Sequence, residues 1–159
     1  MVAAAPGRQG ILSQGWPSGL KVTVIEGQTY DALAHSTASI VSSGTATLEA
    51  ALLDVPMVVV YRVTPLTALL AKPLVRTKYF GMVNLIAGRQ VAPELIQAEF
   101  TPERVAAETG RLLRDPAARA AMRADLAEVR RRLGPPGAVE RAADAIVALL
   151  RNRPGQKPT

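Results

Sequence analysis

Hydrophobic residues along this chain follow two patterns, and one gives way to the other near residue 100. Before that point, short apolar runs rich in Val, Ile and Leu alternate with Gly, Pro, Ser and Asn, the punctuation of strands and tight turns. Lys21-Val22-Thr23-Val24-Ile25 predicts a strand from its β-branched content. A turn at Glu26-Gly27-Gln28-Thr29 follows, with Thr29 capping a short helix from Tyr30 to Ser36 whose Leu33 faces inward. Ala38 to Val41 predicts a second strand, and Thr45 to Leu53 the helix after it. Asp54-Val55-Pro56 ends that helix, because the residue before a proline avoids helical geometry. Met57-Val58-Val59-Val60-Tyr61 is an unbroken apolar run, as in a strand covered on both faces. Pro65 to Leu70 starts a helix that Pro73 interrupts or ends. Met82-Val83-Asn84-Leu85-Ile86 predicts a fourth strand, which the chain leaves through Ala87-Gly88-Arg89.

Beyond residue 100 the apolar spacing becomes helical. Thr101-Pro102-Glu103 sets a cap, a first-position proline and a first-turn acid in the preferred order, with Val105, Leu112 and Leu113 as the inner stripe. Asp115-Pro116 repeats the signal, and Ala118, Met122, Leu126, Val129 and Leu133 then share one face until Gly134-Pro135-Pro136-Gly137. A last helix uses Val139, Ala143, Ile146 and Leu150. The alternation of strands and helices predicts a parallel α/β sheet with helices on both faces, followed by helical packing. Residues 1–20 lack periodicity and read as a flexible leader, 21–150 as one ordered domain, and 151–159 as a disordered tail.

Composition narrows the chemistry. With 48% hydrophobic and 20% charged residues the 159-residue chain can bury a core, built mostly of Ala, Leu and Val since aromatics are only 4%. The absence of cysteine removes disulfides, thiolate metal sites and a cysteine nucleophile. The formal charge of +6 is concentrated at one end: residues 103–159 carry twelve Lys or Arg against seven Asp or Glu. Such a surface suits an anionic partner, and it equally suits a solvated arginine-rich helix face. The N-terminus has no apolar run of the secretory kind, and the longest apolar stretches fall far short of the roughly 20 residues that span a bilayer.

The candidate chemistry gathers at predicted strand ends. Ser43-Gly44-Thr45 joins a strand to a helix, so free backbone amides and the positive end of the helix dipole converge on a possible phosphate position. Glu49 lies four residues after Thr45, one turn along the same face, where a carboxylate can accept hydrogen bonds from a sugar diol. Arg62, Asn84 and Arg89 leave or occupy neighbouring predicted strands and would add an anion pocket with polar groups for a sugar. Each of these residues alone also suits a structural role. No Walker or dinucleotide fingerprint is present, and His35, the sole histidine, has no nucleophile elbow near it.

Several ordered motifs resemble lipid-A-disaccharide synthase: Val24-Ile25-Glu26-Gly27 with Thr29-Tyr30, Ser43 to Leu52, Pro56 to Arg62, Asn84 to Arg89, and Pro93-Glu94-Leu95-Ile96-Gln97. The similarity runs from about Lys21 to about Leu150, with one departure at Val83, where the family usually has proline. The resemblance implies the C-terminal, UDP-binding half of a GT-B glycosyltransferase, as an incomplete Rossmann-like parallel sheet with additional C-terminal helices. It implies UDP-2,3-diacylglucosamine as donor, 2,3-diacylglucosamine 1-phosphate as acceptor, inversion, and no cofactor or bound metal. By the family pattern Gly44 and Thr45 approach the pyrophosphate and Glu49 the ribose. Ser43, Arg62, Asn84 and Arg89 line the donor side.

The catalytic base is expected in an N-terminal domain outside this chain, together with the first strand or two of the donor domain. The chain alone is therefore expected to bind UDP weakly or not at all and not to turn over. Expected partners are the two acylated sugars, a peripheral membrane surface at the cytoplasmic face of the inner membrane of a Gram-negative-type bacterium, and a homodimer or a complete synthase. Rival readings are another UDP-sugar enzyme of the same fold and a truncated non-catalytic interaction module. Nucleic-acid binding is disfavoured because the arginines lack interleaved aromatics.

Overall fold

The computed structural model describes residues 1–4, 7–8, 10, 15–64, 67 and 77–151. The elements are β1 (Val2–Ala4), β2 (Val24–Glu26), α1 (Thr29–Ala34), β3 (Ser39–Ser42), α2 (Ala46–Leu52), β4 (Met57–Tyr61), α3 (Met82–Ala87), β5 (Glu94–Ile96), a 3-10 turn (Gln97–Glu99), α4 (Pro102–Arg114), α5 (Pro116–Leu133) and α6 (Ala138–Arg151). Every strand pairing is parallel. One sheet has the order β3-β4-β5 and a second, two-stranded sheet pairs β1 with β2. This is an incomplete Rossmann-like sheet flanked by helices, with a helical C-terminal part.

β4 lies at the centre of the larger sheet because its residues have no polar side to show: Met57, Val58 and Val59 are fully buried. Val55, Leu95, Leu112, Leu126 and Val129 complete the core with them. Full burial of each such aliphatic side chain contributes roughly 1.5–3 kcal/mol. The C-terminal helices begin where their signals place them. Thr101 accepts a bond from the Arg104 amide, and the Asp115 carboxylate accepts from Ala117 and Ala118 at 2.9 and 3.1 Å. α6 is exposed along its whole length, including Val139, Ile146, Leu149 and Leu150.

Four expectations change. Met82–Ala87 is a helix, not a strand. Its buried residues Val83, Asn84 and Ala87 are spaced by three and four, while Gly81 opens it in extended geometry and Gly88, at φ +70°, closes it. A six-residue apolar run cannot distinguish the two structures by hydrophobicity alone. The strand beside β4 is instead Glu94–Ile96, too short and too polar to announce itself. Thr29 starts α1 as a helical residue, preceded by Gln28, which makes no side-chain cap bond. Within the expected leader, Val2–Ala4 forms a strand against Val24–Glu26, with the Val2 amide donating to the Thr23 carbonyl at 2.8 Å. The helix predicted from Pro65 to Leu70 and the tail after Arg151 lie outside the described residues.

The arginines of α5 do structural chemistry. Arg130 donates to the Ala51 carbonyl at the end of α2 (2.9 Å), and Arg123 to the Asp54 carbonyl just beyond it (3.2 Å). Arg132 donates to the Ile86 and Ala87 carbonyls at the end of α3, and Arg119 to Leu112 and Leu113 near the end of α4. The last carbonyls of a helix have no intrahelical partner and carry its negative pole, so a guanidinium is a fitting cap. One helix thus closes three others. Asp54, at φ +61°, is held in its turn by Arg130 at 2.8 Å.

Candidate functional site

The sheet delivers Ser43, Gly44 and Thr45 to the C-terminal end of β3, directly before α2. The Ser43 amide still belongs to the sheet, donating to the Val60 carbonyl at 2.9 Å. Gly44 then takes φ +143°, a conformation side chains rarely adopt, and an added Cβ would meet no atom within 4 Å. Backbone geometry, not crowding, calls for glycine here. Thr45 enters the helical region, and the buried Thr47 hydroxyl donates to the Gly44 carbonyl at 2.8 Å, fixing the turn from beneath.

Among the described residues, the amides of Gly44, Thr45 and Ala46 have no hydrogen-bond partner, and the exposed Thr45 makes no side-chain capping bond. Glu49, half-buried on α2, has no bonded partner for its carboxylate among them either. Donors at the helix start and an acceptor one turn along are thus both unoccupied. The Ser43 hydroxyl is different: it donates to the Phe80 carbonyl at 2.8 Å and ties the turn to the segment leading into α3.

The remaining predicted residues are bound up in the fold. Asn84 is fully buried, and its amide makes four hydrogen bonds. Nδ2 donates to the Ala92 carbonyl and to Glu94 Oε1 (2.8 and 2.7 Å), while Oδ1 accepts from Val91 and Ala92 (2.7 and 2.9 Å). Those bonds fill the hydrogen-bonding capacity of an asparagine amide, leaving none for a sugar. Arg62 lies 5.0 Å from the centroid of the Phe100 ring and donates to the carbonyls of Gln97 and Phe100. Arg89 forms a two-pronged pair with Asp125 on α5, at 3.0 and 2.6 Å. That hydrogen bond raises the Arg89 pKa and holds the Asp125 carboxyl below its usual range. The structure therefore gathers Ser43, Gly44, Thr45 and Glu49 on one turn and helix, and sets Asn84, Arg62 and Arg89 into supporting contacts.

Two residues that the sequence reading did not single out for chemistry organise this neighbourhood. Glu94 accepts the Phe80 and Gly81 amides, just ahead of α3, at 2.9 Å each, and also receives Asn84. Gln97 grips the backbone of Val63 from both sides, accepting its amide and donating to its carbonyl. A glutamate beginning β5 and a glutamine directly after it were the signals available. A cavity of about 520 Å³ opens beside them, walled by Lys78, Phe80, Glu94, Ile96 and Arg104. None of Ser43, Gly44, Thr45 or Glu49 lines it. Among the described residues, no three His, Asp or Glu side chains gather where they could hold a metal ion, and no helix is long and apolar enough to cross a membrane.

Comparison with known proteins gives this turn its context. The profile of the lipid-A-disaccharide synthetase family matches residues 11–148, beginning ten residues ahead of Lys21, within the expected leader. Curated lipid-A-disaccharide synthases are close relatives. That of Syntrophus aciditrophicus is 47% identical over 130 residues, 82% of this chain and 34% of the relative. That of Geobacter sulfurreducens is 47% identical over 133 residues, 84% and 35% of the two chains, and that of Solibacter usitatus 49% over 130 residues, 81% and 34%. The chain spans about a third of the length of the relatives it matches. With a family profile covering most of its residues and relatives near half identical, the chain belongs to the lipid-A-disaccharide synthetase family.

Proposed function

We propose that this chain is the nucleotide-sugar side of a lipid-A-disaccharide synthase, an inverting glycosyltransferase. In the complete reaction 2,3-diacylglucosamine passes from its UDP donor to 2,3-diacylglucosamine 1-phosphate, giving a β-1,6 disaccharide and UDP. The acceptor hydroxyl attacks the anomeric carbon from the face opposite UDP, the bond to the diphosphate breaks, and a base takes the hydroxyl proton. The observation that carries this reading is the turn itself: three amides at the start of α2, and a carboxylate one helical turn away, that have no partner among the described residues. The amides of Gly44, Thr45 and Ala46 meet the pyrophosphate and stabilise the charge that grows on departing UDP, while Glu49 accepts from the ribose.

Ser43, Arg62, Asn84 and Arg89 act from behind, holding the turn, the β4 exit, α3 and α5 in register. The transfer proceeds without a bound metal, the base comes from a part of the enzyme that this chain does not span, and the chain alone does not turn over. Its partners are the two acylated sugars at a peripheral membrane surface, on the cytoplasmic face of the inner membrane. Pairing with a second copy or with a complete synthase belongs to the same proposal. Titration of UDP to millimolar concentration into the isotope-labelled chain tests the site. The Gly44, Thr45 and Ala46 amide resonances are expected to move first and furthest. Uniform small shifts, or shifts confined to the cavity beside Glu94, overturn it.

A further inference from the structure

β5 lies two strands from β3, yet a chain of hydrogen bonds runs from it to the Ser43–Thr45 turn. Its origin is Glu94, the first residue of β5. Oε2 accepts the Phe80 amide at 2.9 Å, and Oε1 accepts the Gly81 amide at 2.9 Å and Asn84 Nδ2 at 2.7 Å. The Phe80 carbonyl in turn accepts the Ser43 hydroxyl at 2.8 Å.

A carboxylate suits this set of donors. Three N–H groups converge on its two oxygens, and an ionised carboxylate accepts at both. A glutamine would aim an NH2 at one of them and leave two donors facing each other. Close packing at Gly81 holds the carboxylate where it is: an added Cβ there would lie 3.2 Å from Glu94 Oε1 and 3.3 Å from the Val59 side chain. With its amide held by Glu94, Phe80 presents its carbonyl at one place. Among the described residues, the bond it receives from Ser43 is the one side-chain bond by which Ser43, Gly44 or Thr45 reaches another element. The Thr47 hydroxyl also grips the turn, but from α2 itself. Gly44, at φ +143°, is free to bend, so the direction of the turn depends on what holds its neighbours.

We propose that Glu94 is a positioning residue for this turn: through Phe80 and the Ser43 hydroxyl it fixes the direction of the Gly44, Thr45 and Ala46 amides. The inference rests on the reading of those amides as the diphosphate site. Glu94 itself walls the cavity that none of Ser43, Gly44, Thr45 and Glu49 lines, so it acts from behind and not by touching the nucleotide. Amides already aimed at the diphosphate need no reorientation when charge grows on the departing group, and a slackened Ser43 gives up that advantage.

The test is a cycle of variants in the isotope-labelled 159-residue chain: Glu94→Gln, Ser43→Ala and the two together. Without ligand, each single change is expected to move the Gly44, Thr45 and Ala46 amide resonances. Glu94→Gln should move them no further once Ser43→Ala is in place. In UDP titrations each single variant should lose about fivefold in affinity, and the pair also about fivefold, not the roughly 25-fold of independent losses. A Glu94 that merely stabilised the fold would lower the melting temperature, but Ser43→Ala would not erase its effect on the turn. If Glu94→Gln is unfolded by circular dichroism, Glu94→Asp, too short to hold the Phe80 and Gly81 amides, takes its place in the cycle. Losses that multiply, or turn resonances that stay in place while Phe80 and Gly81 move, overturn the proposal. If UDP shifts nothing in the unaltered chain, the diphosphate reading fails by itself, and the ligand-free resonances still decide whether Glu94 directs the turn.

Discussion

Two polar neighbourhoods of this protein are built from similar residues and do opposite things. Around α3, the asparagine, glutamate and arginines of Asn84, Glu94, Arg62 and Arg89 direct their polar atoms at backbone or at one another. Around the start of α2, three amides and the Glu49 carboxylate have no partner among the described residues. The first neighbourhood is a joint, and the second is the one we propose as a site. A polar residue at a strand end qualifies for chemistry only when the fold has left its capacity unfilled, and the hydrogen-bond inventory separates two sets that residue type cannot.

Asn84 carries the largest expected effect. Asn84→Ala strands two buried amides and a carbonyl, and should cost at least about 3 kcal/mol in urea unfolding, at a loss of about 1–3 kcal/mol for each orphaned group. If Asn84→Ala instead keeps full stability and loses only UDP binding, the joint is a site after all. Next in size is Gly44→Ala. With φ at +143° and open space around the added methyl, the cost is backbone strain of about 1–3 kcal/mol, accompanied by loss of the UDP-induced shifts. Glu49→Gln sharpens the other side: UDP affinity should fall about tenfold, roughly 1.4 kcal/mol, while the melting temperature is unchanged. Equal losses in melting temperature and affinity would move Glu49 into the joint.

The smallest effect concerns acid. Arg89 holds the Asp125 carboxyl below its usual value, and Arg132, with Arg131, does the same for Glu128. In these cases the unfolded chain takes up the proton first as pH falls. The stabilisation is therefore full above the ordinary carboxylate value of about 4 and is lost as pH drops through the lower folded value. Arg89→Ala should leave the melting temperature nearly unchanged at pH 7 and flatten its fall below pH 4, since both partners are exposed enough for solvent to screen them.

Legibility in the sequence tracked how local each signal was. Met57–Tyr61 and the starts of α4 and α5 were readable residue by residue, because an unbroken apolar run and a Thr-Pro or Asp-Pro cap depend only on near neighbours. α3 and β5 were not. The helix at Met82–Ala87 is selected by Glu94, which holds the Phe80 and Gly81 amides just ahead of it from 14 and 13 residues downstream, and by Asn84 accepting from Val91 and Ala92 further along the chain. The same distance effect governs the candidate site. Ser43, Gly44, Thr45 and Glu49 belong to one turn and one helix, so their grouping was visible; the structural duties of Asn84, Arg62 and Arg89 depend on partners 7 to 38 positions away. The arginine-rich face is only partly legible for a related reason. Charge can be counted in a sequence, but the carbonyls that occupy it cannot.

Those carbonyls carry a consequence for how the molecule comes apart. Because Arg119, Arg123, Arg130 and Arg132 sit on a single helix and close the ends of α2, α3 and α4, these three helices cannot fray one at a time without first parting from α5. Their final turns should share one opening equilibrium and exchange their amides at a common rate. α6, which none of the other described elements covers, should open on its own and far more often. The protein would then behave as one cooperative unit carrying a loosely held appendage.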